Sequence, residues 1–340
     1  MSRGFRLSWH RWVLWLMALL WWPSLHAASD CRSLEPVPWR AVVPGVWVWL
    51  PPDRGDVSPA NGGHVMTVSV LIAGRQAMVI DPGPSQAHGQ RLRASLACRF
   101  GAQVRWIVNT HAHSENTLAN SAFADDIAAG RVEVLASGPT REGMSLRCPD
   151  CLASLVHRAG EQAMAGTQIV LPTRTLSEGE VLRVGRLRLQ VMRVEHGHTE
   201  GDLVLWEARR QLLWAGGLVY QDRVPELAQG QLRGWLAALD RLQALAPRQL
   251  ISTVWSTSPG KGEPPPALPA TRAYLQALRE GTLKAMDEGV QPQDTGQVAL
   301  PAFSDWAGYG ARHGFNVLRA WRELEPEWMD RPPSAQDVRR

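Results

Sequence analysis

The chain has 340 residues, with 36 Lys+Arg, 32 Asp+Glu and 45% hydrophobic residues. That is globular composition, and it excludes a disordered tail, a collagen-like chain and a disulfide-dense mini-protein. Of the net charge of +4, three charges are Arg3, Arg6 and Arg11, and no block of like charges follows, so no nucleic-acid partner is expected.

Residues 1–27 read as a basic start, the apolar run WVLWLMALLWW, a Pro and a small-residue stretch. This is the pattern of a signal peptide, with cleavage expected after Ala27. The apolar run is far short of the roughly 20 residues that span a bilayer, so no membrane span is expected after cleavage. Asp30 breaks the lipobox that Cys31 would need. A periplasmic or secreted protein is expected.

Export changes how Cys31, Cys98, Cys148 and Cys151 read. Four cysteines allow three connectivities, and sequence alone does not choose between them. Cys148-Pro-Asp-Cys151 has the spacing of a redox site or half a zinc knuckle, but the favoured reading is a structural loop. The expected pairs are Cys148 with Cys151 and Cys31 with Cys98.

Along the chain, GVWVWL (45–50), HVMTVSVLIAG (64–74) and QAMVIDPG (76–83) are strand-like. Trp47 and Trp49 read as one face of a sheet, with the lining of a cleft as the alternative. Residues 85–101 have helical spacing at Leu92, Leu96 and Phe100, and Gly101 suits the stop. VRWIVNT (104–110) is a buried strand leading into HAHSEN. Residues 137–165 read as helical and hold the close Cys pair. A second strand set follows at 181–185, 186–196, 202–208 and 211–217. An amphipathic helix spans 231–247, a last strand 249–254, a Pro-rich loop 258–270, and two helical stretches close the chain. Two strand-rich halves with helices suggest two sheets packed face to face under helical layers. The expected division is a signal peptide over 1–27, one domain over 28–290, and a helical extension over 291–340 packed on that domain.

Two His-x-His pairs stand out, His111-Ala-His113 and His196-Gly-His198, where about 0.3 would arise by chance. Both sit where a strand gives way to a loop. Alternate residues of extended chain point the same way, so each pair can aim two imidazoles at one point. Glu115 keeps the same parity. The pattern suggests a metal site.

THAHSENTLAN resembles the T-H-x-H-x-D-H segment of the metallo-β-lactamase superfamily, EHGHTEGD its G-H-T-x-G-D segment, and VIDPG its strand-end Asp-x-Gly. The resemblance runs over about residues 42–290. It implies an α/β fold, the four-layer αββα sandwich. LLWAGGLVYQDRVPELAQGQLRGWLAALDRL, the Cys148–Cys151 segment, TQIVLPTR and HGFNVLRAWRELE resemble the quinoprotein relay system zinc metallohydrolases more closely. That likeness implies a functional link to periplasmic quinoprotein dehydrogenases.

By this resemblance His111, His113 and His198 hold a first metal. The second-metal positions depart from the family: Glu115 and Asn116 replace Asp and His, Gly217 replaces the bridging Asp, and Lys261 stands where the last His is expected. A neutral amide is a poor zinc ligand and Gly has none to offer, so one zinc per chain is expected. Three protein ligands and an open position have the form of a catalytic site. Zinc brings the pKa of a bound water to about 7, giving hydroxide for attack on an ester, thioester or amide. Glu115 is expected to deprotonate or orient that water, with a solvated loop carboxylate as the alternative; Lys261, if its loop enters the cleft, would place a fixed positive charge there, but a solvated loop Lys is the favoured alternative. Asp81 is expected behind the metal site, holding a ligand His by its other ring nitrogen. His196 is a spare ligand, while His64 and His88 suit surface or packing roles. Two readings follow: a one-zinc hydrolase of unknown small-molecule substrate, or a catalytically degraded accessory or binding protein that keeps the fold. A thiol-redox protein built on Cys148 and Cys151 is the weakest third.

Overall fold

The computed structural model describes Met1, Cys31 and residues 35–331. The expected leader lies almost wholly outside the described residues. Among them, no helix is long and apolar enough to cross a membrane.

The first sheet runs β1 (Arg40–Val43), β2 (Val46–Trp49), β3 (Val68–Ala73), β4 (Gln76–Ile80), β5 (Gln103–Val108), β6 (Glu133–Ala136) and β7 (Arg174–Thr175), neighbour to neighbour in chain order. Pairing is antiparallel from β1 to β4 and parallel from β4 to β7. The parallel step from β4 to β5 needs a crossover, which α1 (Gln86–Phe100) supplies. Ser85 caps α1 by accepting from the His88 N–H at 3.3 Å, and Gly101 ends it in the left-handed conformation. After β5 come the short α2 (Ser114–Thr117) and α3 (Ala124–Ala128), and after β6 the long α4 (Gly138–Ala159) and α5 (Glu161–Met164).

The second sheet is built from β8 (Val181–Val184), β9 (Leu187–His196), β10 (Glu200–Glu207), β11 (Leu212–Trp214), β12 (Gln249–Ile251) and β13 (Trp255–Thr257), again in spatial order. α6 (Leu232–Ala244) links β11 to its parallel neighbour β12, and α7 (Ala267–Asp287) and α8 (Tyr309–Met329) follow β13.

Strand alternation divides the side chains among three layers. Val48, Leu71, Met78, Leu189, Leu205 and Trp214 meet between the sheets. Trp214 ties them together by donating from its indole N–H to Ser69 Oγ at 2.7 Å. The opposite face of the first sheet packs Val70 and Val79 against Leu92 and Leu96 of α1. The outer face of the second sheet is covered by α6, α7 and α8 through Trp235, Leu239, Leu275 and Val317. The result is an αββα sandwich. The helix at 309–329 thus completes the outer layer by packing on α7 and the second sheet, through Ala320, Trp321 and Leu324.

Trp47 and Trp49 lie on the α1 side of the first sheet, with Trp47 against Phe100 and Trp49 stacked on His88 at 4.1 Å. They form a sheet face, not a cleft wall. His64 closes this packet, its ring 4.6 Å from that of His88. Burial pushes His64 down from 6.5 to about 4, and burial lowers His88 well below its ordinary value. The unfolded chain therefore takes up the His64 proton near pH 6.5 while the folded chain refuses it until about 4. Stability from this site is whole above 6.5 and lost as pH falls through that window, by about 3 kcal/mol in all. Urea unfolding at pH 7 and pH 4.5 should show His64→Gln losing less stability on acidification than the wild type. Equal losses would refute the assignment.

Cys31 and Cys98 are bonded, with Cα atoms 5.7 Å apart, as expected. The second expected disulfide is corrected: Cys148 and Cys151 are free thiols. Both lie within α4, one turn apart. Helical geometry keeps Cβ atoms at that spacing about 5–6 Å apart, beyond the roughly 3.5–4.5 Å a disulfide requires. Burial pushes the Cys148 thiol up to about 12 and raises Cys151 as well, with nearby Glu115 adding to both.

Candidate metal centre

The site forms where strands of both sheets end. β5 stops at Val108, and the chain continues through Asn109 and Thr110 to His111 and His113, which immediately precedes α2. His198 follows β9 in the turn before β10. One ring nitrogen from each of His111, His113 and His198 lies within 4.8 Å of the other two. Among the described residues no other three metal-ligating side chains converge in this way.

The hydrogen bonds behind the rings decide which nitrogens face inward. Asp81 follows β4 with φ 53, a left-handed conformation that an Asp tolerates, and its carboxylate meets the loop before His111. It accepts from the Thr110 N–H at 2.9 Å and from the Thr110 hydroxyl at 2.7 Å. The hydroxyl has one proton, and it is spent on Asp81. Its oxygen, 2.9 Å from His111 Nδ1, must therefore accept, which places the His111 proton on Nδ1. His111 Nε2 is left as a bare acceptor, buried and without a partner. The Glu226 carbonyl does the same for His198, accepting from Nδ1 at 3.1 Å and freeing Nε2. His113 presents Nδ1, which lies 3.0 Å from His198 Nε2.

Burial lowers His111 and His198 well below the usual imidazole range, and the neighbouring imidazoles lower them further. Neutral rings with converging lone pairs fit a divalent cation. Tetrahedral zinc with Zn–N near 2.0–2.1 Å places its nitrogens roughly 3.3 Å apart, close to the spacing of His113 and His198. Asp81 is the residue expected behind the site, but it acts through Thr110 rather than by touching a ring. Burial pushes its carboxyl up to about 6, against the pull of the Thr110 bonds. Thr110→Val breaks this relay, and we expect zinc affinity to fall by about 10–100-fold in chelator competition. Unchanged affinity would show the relay to be idle.

Asp202 braces the turn that carries His198. It accepts from the Thr199 N–H at 3.0 Å and from the Thr199 hydroxyl, and burial raises its carboxyl to about 7.

A cavity of about 260 Å³ opens beside the triad, lined by His113, Glu115, Asp150, Cys151, Arg158 and Glu226. Glu115 Oε1 is 3.9 Å from His113 Nδ1, so the structure brings this expected residue to the site. It does not bring His196, which is exposed and bonded to Gln231. Nor does it bring Lys261 there. In the β12–β13 pair Gln249 faces Thr257, so the loop after β13 returns to the far end of the strands. Lys261 lines a separate cavity there with Arg248, Gln211 and Gln243. The triad end is marked instead by Ser252, whose hydroxyl bonds the Gly216 carbonyl.

Asn116 is buried. Gly217 packs against the triad: a Cβ placed there would lie 2.8 Å from His198 Nε2 and 3.0 Å from His111 Nε2. Sequence reasoning missed Thr110, the Glu226 carbonyl and Cys151 as parts of this site. It also missed Tyr220 and Trp235, whose rings stand 6.0 and 5.1 Å from His198.

A sequence profile of the metallo-β-lactamase superfamily matches residues 62–252, the stretch that contains the whole triad. The chain belongs to this superfamily. An acyl-coenzyme A thioesterase of Bos taurus is 25% identical over 205 residues, covering 57% of this chain and 73% of that protein. A hydroxyacylglutathione hydrolase of Anaeromyxobacter dehalogenans (strain 2CP-C) is 32% identical over 153 residues, covering 43% of this chain and 46% of that one. Among solved structures, a metallo-beta-lactamase from Pontibacter korlensis superposes with a TM-score of 0.52 at 19% identity, over 70% of this chain and 98% of that chain. The metallo-beta-lactamase FIM-1 from Pseudomonas aeruginosa, in its mono-zinc form, gives 0.51 at 17% identity, over 72% and 96%. At these identities the structural matches speak for the fold alone.

Proposed function

We propose that this superfamily member is a hydrolase that holds a single zinc through His111, His113 and His198 and cleaves an ester, thioester or amide. The observation that carries this is the tautomer arrangement, in which Thr110 and the Glu226 carbonyl leave His111 Nε2 and His198 Nε2 as free acceptors facing His113 Nδ1. The likenesses to a thioesterase and a hydroxyacylglutathione hydrolase support trying a thioester before the other two bonds. Bound zinc supplies Lewis acidity and an acidified water. The chain supplies the rest. Asp81 and Thr110 fix the His111 ring, and Glu115 offers a carboxylate beside the cleft to take a proton and return it to the leaving group. Export to the periplasm belongs to the same proposal, supported by the N-terminal pattern and by the Cys31–Cys98 bond; a role beside quinoprotein dehydrogenases rests on the sequence resemblance alone.

Elemental analysis of the mature protein after zinc reconstitution should give one zinc per chain. Two tightly held metals, or none, would overturn the assignment. His113→Ala removes a ligand outright, so its affinity loss should exceed about 100-fold, more than loss of a supporting residue costs. Asn116→Ala should leave occupancy nearly unchanged. The departures at Asn116 and Gly217 favour a second reading, an accessory protein without turnover. A blank screen of esters, thioesters and lactams with zinc-loaded protein would put that reading ahead.

A further inference from the structure

Helix α8 lies wholly beyond residue 252, where the match to the superfamily profile ends. It nevertheless reaches toward the metal centre, through Asn316. Asn is a poor helix former because its amide competes for nearby backbone, so one in mid-helix either faces water or serves a partner elsewhere. Asn316 is 1% exposed, and its partners lie outside α8. Its Nδ2 donates to the Pro225 carbonyl at 2.7 Å and to Tyr274 Oη at 2.9 Å, and its Oδ1 accepts from the Leu227 N–H at 3.0 Å. The Leu227 N–H can only donate and the Pro225 carbonyl can only accept, which fixes the amide's orientation.

Residues 224–227 belong to no helix or strand, so their backbone groups need partners from elsewhere. Asn316 brackets Glu226, holding the carbonyl before it and the N–H after it. The second of these bonds bears on His198. The Glu226 carbonyl and the Leu227 N–H are the two polar ends of one peptide unit, which is planar and trans. They point in opposite directions: the N–H to Asn316 Oδ1 at 3.0 Å, the carbonyl to His198 Nδ1 at 3.1 Å. A rigid plane with its N–H held has its carbonyl held too, and each bond in such a chain polarises the next. Two further side chains of α8 grip the same segment, Arg312 with Nε 3.6 Å from Glu226 Oε2 and Arg319 donating to the Gly230 carbonyl at 3.4 Å. On the other side, the Gln231 N–H donates to the Gly197 carbonyl at 3.0 Å, next to His198.

We infer that Asn316 is a positioning residue for the metal centre: through the Glu226–Leu227 peptide it keeps the His198 proton on Nδ1 and leaves His198 Nε2 free for the ion. This rests on the reading of His198 as a zinc ligand. It makes α8 part of what holds the metal, although α8 supplies no ligand.

The test uses Asn316→Ala and Tyr274→Phe in the mature chain. Chelator competition should show Asn316→Ala holding zinc about tenfold more weakly, the low end of the loss for a group behind a ligand histidine. Tyr274→Phe takes a hydroxyl from the same amide but leaves both of its bonds to residues 225 and 227. It should lose stability and keep its zinc affinity. With isotope-labelled histidine, the ring-nitrogen resonances of the metal-free chain report which nitrogen carries the proton. The His198 signals, identified by their absence from His198→Asn, should show Nδ1–H alone in the wild type and in Tyr274→Phe, and both tautomers in Asn316→Ala. A role confined to packing would lower stability in both variants and move the tautomer in neither. Unchanged zinc affinity, or an unchanged His198 tautomer, in a folded Asn316→Ala overturns the inference. If Asn316→Ala does not fold, the wild type decides. Coupling is reciprocal, so zinc loading should slow hydrogen exchange of the Leu227 amide by the same order, about tenfold. Equal exchange with and without zinc overturns the inference. A wild type that binds no zinc sinks the metal reading instead, and the tautomer spectra of the metal-free chains still decide the role of Asn316.

Discussion

Gly217→Asp is expected to empty the site, not to restore a second metal. The family likeness places a bridging Asp at this position, so the substitution looks like a repair. The packing argues otherwise. A Cβ at residue 217 would sit 2.8 Å from His198 Nε2, closer still to Cδ2, and 3.0 Å from His111 Nε2. Neither ring can give way cheaply. His198 is held from behind by the Glu226 carbonyl at 3.1 Å, and His111 by Thr110 at 2.9 Å. Moving either ring by the half-ångström or more that the clash demands spoils the convergence of the three nitrogens, and metal geometry tolerates only about 0.2 Å. Zinc affinity should therefore drop by about 100-fold or more, beyond the cost of losing a supporting hydrogen bond. Gly217→Ala should show most of the same loss, since the first side-chain carbon makes the clash. Chelator competition on both variants is the measurement. Two zinc ions bound by Gly217→Asp would show that the triad has room that the packing denies it.

This packing also bears on the proposal of a single metal ion. Loss of the side chain at 217 and the approach of His198 to that space are two sides of one arrangement. Asn116 contributes only a neutral amide at the other expected ligand position. The side chains that do converge are His111, His113 and His198, which could hold one metal ion.

Much of the fold was legible because strand alternation and helix stops are local signals. The runs at 45–50 and 76–83 alternate between Val48 or Met78 inside and Trp47 or Val79 outside, and Gly101 ends its helix as its type requires. The metal site was legible from the two His-x-His pairs at strand ends, but strand alternation is not what assembles it: the chain bends at His111 and Ala112, His113 caps α2, and Glu115 lies in that helix. The errors came where a local pattern was read without its element. Cys148 and Cys151 look like a closed loop only if the segment is not helical, and α4 runs straight through Pro149. Lys261 sits in a Pro-rich loop whose direction depends on β12–β13 pairing, which its own residues do not encode. Thr110 left no sequence signal of its own, because its place behind His111 arises from a contact with Asp81 across 29 residues of chain.

Glu115→Gln should cut kcat by about 100- to 10,000-fold on whatever ester or thioester the screen identifies, with zinc content preserved. Glu115 lies in the first turn of α2, two residues after a triad histidine, and shares the cleft with His113 and Glu226. Its carboxylate is partly exposed, with Oε1 3.9 Å from His113 Nδ1, so it is free to accept a proton from attacking water. Gln keeps the length and shape of the side chain and removes that capacity, which separates proton transfer from positioning. Lys261→Met, at the far end of the second sheet, should leave kcat unchanged. Full activity in Glu115→Gln would mean that the proton leaves by another route and that this carboxylate is only a solvated side chain at the rim.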